Sequence, residues 1–358
     1  MQNQDNVPAT NIDSGTGYCF FALRVGDYVD LEKVSTLTRE SDCQVVHDAI
    51  PPFFKDPIRP LILVKTIAKR TFGKFETAAD VGFAVYPFGV VSVRFAIPLQ
   101  GVLSDLVELS RELEASIELE TLARELVVEF IEGLHVTIAD MRISNQLEDY
   151  WVFCLPKNAD VELLARAEGG LVAQILNGEQ ATLSGQVVSK VVDGVIAYTP
   201  NVGIFTDWAA ALVIDSNPFD VLAVVEVANA MSVVLDFVDA HLDATLVELK
   251  GVRTNKVMGI PEVRAAKGLH AEYALMLSLL SEPLKLVQDQ YLARVFERLS
   301  SLHHNKRLDS IRESFAAINA HWEAAVEDRN ASSSRWAEHF IILLIIIEIV
   351  LALFLHYS

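Results

Sequence analysis

The sequence predicts an α+β protein with three parts: an N-terminal mixed strand-and-helix head, a long antiparallel helical hairpin resembling a coiled coil, and a single C-terminal transmembrane helix. Three observations predict it. Short β-branched and aromatic runs, punctuated by Pro and Gly, fill the chain up to about residue 220. From Val221 the apolar period changes to steps of three and four. Phe340–Leu355 is apolar except for Glu348. The composition agrees with a segregated chain. Its 358 residues carry a net charge of −19, yet 51% of them are hydrophobic and the mean hydropathy is +0.31. So apolar a chain can offset its ordering entropy, which excludes wholesale disorder. With 48 acidic against 29 basic residues, a generally basic surface for nucleic acid is excluded too, and no direct nucleic-acid binding is expected. The three cysteines, Cys19, Cys43 and Cys154, are far apart, which argues against a disulfide scaffold and fits a reducing compartment.

Taken in order, Met1–Gly17 is polar and reads as a disordered tail, with neither the basic and apolar regions of a secretory signal nor the Arg of a mitochondrial presequence. The head, 18–220, opens on a strand at Tyr18–Val25 and a short helix at Asp30–Leu37, with Asp30 a candidate N-cap. Pro51, Pro52, Pro57 and Pro60 mark a loop, and Leu61–Val64 a buried strand. Two β-rich runs around Pro87-Phe88-Gly89 read as a hairpin. Ser104–Phe130 reads as one charged helix, Val136–Ile138 and Tyr150–Leu155 as strands, and Val161–Leu176 as a helix. Short strands are expected within Val187–Tyr198 and Ala209–Asp215.

The hairpin, 221–335, is expected from two stripes. Val221, Val224, Ala228, Met231, Leu235, Val238, Leu242, Leu246 and Leu249 form the first arm, closed near Gly251. After Gly259-Ile260-Pro261, Leu284, Val287, Tyr291, Val295, Leu299 and Leu302 begin the second, which Leu308, Ile311, Phe315, Ile318, Trp322 and Val326 continue. Glu226 and Asn229, in the apolar start of the first arm, are expected to fix helix register, with a catalytic carboxylate and its orienting amide as the alternative.

The anchor is 336–357. A bilayer core asks for about 20 apolar residues, and Trp336 and Tyr357 flank the run as interfacial anchors do. Arg329 and Arg335 precede it and only His356 follows. The positive-inside rule therefore puts the head in the cytoplasm, on a single-pass protein of the cytoplasmic membrane. Glu348 sits at mid-segment, where a carboxylate is costly. It is expected to be neutral, to hydrogen-bond between helices of a homo-oligomer, or to line an ion path.

Motifs for chemistry are sparse. The sequence has no phosphate loop, no dinucleotide-binding glycine pattern and no nucleophile elbow, so no enzyme activity and no cofactor are expected. Cys43 with His47 is a lone pair, and the adjacent His303 and His304 point to different faces. Asp236, Asp239 and Asp243, with His241 and Glu248 nearby, share a helical stripe that reads as a solvated acidic face, or as a divalent-cation site if a second chain brings ligands.

Several of these segments resemble the Required-for-Meiotic-nuclear-Division family. The end of the chain, from Arg335-Trp336-Ala337-Glu338 through the Ile/Leu run to Glu348, is similar to the family's closing motif. Phe83–Val93 resembles its aromatic strand motif. Tyr198, Asp207-Trp208, Ala211–Val213 and Glu226-x-Ala228-Asn229 resemble bacterial members. The chain has His339 and Ala337 where the family has Trp and Leu. The resemblance implies a membrane protein of large complexes, with mitochondrial relatives that support organelle translation, and it implies no catalytic residue set. The expected function is a tail-anchored, oligomeric scaffold that binds an unidentified protein partner. Glu338, Glu348, Trp336 and Arg335 are the candidate membrane and oligomer residues. An oligomeric ion channel, or an enzyme with an unrecognised site in the head, are the alternatives.

Overall fold

The computed structural model describes residues 11–38, 42–46, 54, 58–133, 137–156, 160–251, 268, 287, 289–321, 323–324 and 327. The chain divides into two units, Met1–Asp236 with Met276–Asn305, and Phe237–Leu275 with Lys306–Ser358.

The first unit is built on one long strand. β1 (Asn11–Arg24) alternates Cys19, Phe21 and Leu23 on one face with Phe20 and Ala22 on the other, and all are buried. After β2 (Tyr28–Val29), helix α1 (Leu31–Leu37) is capped by Asp30, whose carboxylate accepts from the Lys33 amide. Three short strands and one longer one follow: β3 (Gln44–Val45), β4 (Leu61–Thr66), β5 (Thr71–Phe72) and β6 (Phe75–Glu76). The hairpin of β7 (Asp80–Tyr86) and β8 (Val90–Val102) turns at Gly89, whose φ of 79° only glycine adopts without strain.

The charged stretch that reads as one helix is two. α2 (Asp105–Glu114) ends before Ser116, whose side chain accepts from the Leu119 amide and starts α3 (Ile117–Glu132). The serine restarts the helix because its oxygen takes an amide that would otherwise be orphaned. β9 (Ile138–Ala139) and β10 (Leu147–Leu155) follow, then α4 (Val161–Asn177), capped by Asp160. Of Val187–Tyr198, expected to hold short strands, the first part lies in α5 (Gly185–Asp193), where the Ser184 side chain accepts from the Val187 amide, and Ile196–Tyr198 does become strand. β11 (Ile196–Thr199), β12 (Val202–Thr206) and β13 (Ala210–Ile214) complete the strands.

Nine of these strands make one sheet in the order β11-β12-β13-β10-β1-β8-β7-β4-β3. Its pairs are antiparallel except β10 with β13. Leu106, Leu119, Val127, Val172 and Val191 of α2 to α5 share a core with Phe21, Phe95 and Phe153 of the sheet. The opposite residues of the sheet meet α6 (Phe219–Gly251) and α7 (Gln290–His303). Residues 11–17, assigned by polarity to a tail, belong to β1. They are held on both sides: Thr16 pairs with Cys154 and with Pro98, Gly17 with Phe153 and with Ile97.

The expected long helical hairpin is overturned, and with it the three-part architecture. The structure has instead a sheet-rich unit that takes up the start of α6 and all of α7. The reason lies between the stripe positions. Val225, Val227, Ala230, Val233 and Val234 are as buried as Val224, Ala228 and Met231, so α6 is apolar all round there, the mark of a core helix rather than a coiled-coil seam. Among the described residues, α6 over Phe219–Val247 is the one helix long and apolar enough to cross a membrane, and its most apolar window is 83% buried inside the fold. The segment 336–357, expected to be the transmembrane helix, lies outside the described residues.

In the second unit, the rest of α6 carries buried Val238 and Leu242, and residues 306–321, helical throughout, carry buried Leu308, Ile311 and Ile318. The Ser310 hydroxyl donates to Asp239 Oδ1 at 2.8 Å.

Candidate functional site

Polar groups buried where α6 lies on the sheet form the candidate site. An all-apolar helix could slide on an apolar sheet, and polar pairs remove that freedom. Glu226 supplies the first. It is 4% exposed, with Oε1 accepting from the Ser92 hydroxyl at 2.9 Å and Oε2 from Arg94 Nη1 at 3.5 Å. Both partners come from β8, where Arg94 is the one charge in Val90–Ile97. The guanidinium lies over Gly82 of β7, where a Cβ would stand 3.2 Å from Nε and Nη2. Burial pushes the Glu226 carboxyl above the usual carboxylate range, and Arg94 and Ser92 draw it part of the way back. The neighbouring Tyr86 phenol is raised by burial and by Glu226.

One turn along, Asn229 Nδ2 donates to the Glu148 carbonyl of β10 at 3.1 Å. A cavity of about 10 Å³ opens beside it, lined by Tyr150, Val225, Ala228, Asn229, Ser232, Leu299 and His303. Such a volume takes one water and no metabolite. The Tyr150 hydroxyl donates to the backbone carbonyls of Asp207 and Ala210, at 3.0 and 2.9 Å. His303 meets Tyr150 edge to face and lies tilted against the exposed Trp208, with ring centroids at 5.5 and 4.9 Å. His304 is fully buried. Its Nε2 stands 3.0 Å from both the Ala228 carbonyl and Ser232 Oγ, and its Nδ1 stands 3.1 Å from Ser300 Oγ. Since the carbonyl only accepts, Nε2 carries the proton and Nδ1 accepts from Ser300. These contacts tie α6 to α7.

A second buried carboxylate holds the β12–β13 turn. Asp207 accepts from Lys190 Nζ at 2.8 Å, from Asn177 Nδ2 at 3.2 Å and from the Trp208 amide at 3.0 Å. It joins α4 and α5 to the sheet. Each of these carboxylates is met by groups of the chain itself, which is the arrangement of a locked interface.

The two register candidates, Glu226 and Asn229, thus come together on one face of α6, and their partners are sheet strands. Trp336, Arg335, Glu338 and Glu348 lie outside the described residues, as does His47, the partner considered for Cys43. Asp236, Asp239 and Asp243 stay on α6, where Asp239 holds Ser310. Among the described residues no group of three or more His, Cys, Asp or Glu side chains has the geometry to hold a metal ion. The Cys19 and Cys154 thiols are pushed up by burial and stay protonated. Sequence reasoning gave no role to Ser92, Arg94, Asp207 or His304. Arg94 alone carried a signal, as a charge inside an apolar strand run.

No curated protein and no solved structure matches the chain. A family model described as "Uncharacterized protein MJ0711, N-terminal domain" matches residues 14–220, from β1 to the first turn of α6. That span holds the large sheet except the first three residues of β1, and more than half of the chain, so the protein belongs to the MJ0711 N-terminal-domain family.

Proposed function

We propose that this protein is a membrane-anchored scaffold whose α+β head binds another protein. The observation that carries the reading is the apolar run Phe340–Leu355 between Trp336 and Tyr357. The burial of α6 supports it, because that helix already has a place as core. Locked polar contacts around Glu226, Asn229 and His304 suit a rigid platform. The resemblance to the Required-for-Meiotic-nuclear-Division family points the same way. In this reading Arg329 and Arg335 keep the head on the cytoplasmic side, and Glu348 bonds between helices of neighbouring copies.

Native mass measurement in mild detergent, with protease digestion of sealed membranes, tests the reading. The expected result is an oligomer whose head is digested from the cytoplasmic side, and a shift to smaller species for Glu348→Gln. A monomer with a protease-protected head would contradict it.

A further inference from the structure

We draw no further inference here: the strongest candidate, the exposed Trp208 ring that lies against His303 on the β12–β13 turn, carries none because nothing in the structure shows what covers it.

Discussion

At the residue scale, Glu226 is a carboxylate taken almost wholly out of water. Its folded carboxyl holds a proton to higher pH than the unfolded one, because burial outweighs Arg94 and Ser92. A raised acid contributes stability that is fully present below the unfolded carboxylate range. That contribution is lost as pH rises through the folded value. Glu226→Gln should therefore gain on the wild type as pH rises from below the carboxylate range to neutrality, in urea unfolding monitored by tryptophan fluorescence. A constant difference between the two proteins across that window would contradict the assignment. His304 gives a second prediction. His304→Ala leaves the Ala228 carbonyl and the Ser300 hydroxyl without their buried partner and should cost about 2–4 kcal/mol. None of these partnerships was legible in the sequence. Glu226 could be singled out as polar in an apolar run, but Ser92 lies 134 residues away, and no local pattern reports a contact across that distance.

At the element scale, the strands were readable where alternation and turn residues agree, as at Phe83–Ile97 around Gly89. Caps were readable when placed before an apolar run, as Asp30 is. Ser116, inside an even spread of charges, was not, so two helices read as one. Ser116→Ala should cost about 1 kcal/mol in the same unfolding assay. A change below the measurement error would mean that packing alone divides α2 from α3. The misreading of α6 has a different cause. A stripe of apolar residues in steps of three and four can be traced along any helix that is apolar all round. The test for an amphipathic arm is whether the residues between the stripe positions are polar, and Val225, Val227, Ala230, Val233 and Val234 are not. Hydrogen exchange should find the α6 amides over 222–235 among the slowest in the chain. Fast exchange there would remove it from the core.

At the scale of the whole molecule, the acidity and the apolar content have separate places. The sheet, α6 and α7 take up much of the apolar content, and the acids crowd the exposed faces of helices such as α2 and α3. An acidic head gains nothing from an anionic leaflet, so the anchor we propose at 336–357 would have to hold the protein by burial of apolar side chains alone. Two segments compete for that role by composition, α6 and 336–357. We propose that α6 belongs to the fold of the head and 336–357 to the bilayer. Removing residues 336–358 and washing the membranes with alkaline carbonate decides between them. The full chain should stay in the pellet, and the shortened chain should move to the supernatant with cooperative unfolding intact. A shortened chain that stays in the washed pellet would contradict the account and return α6 to the membrane.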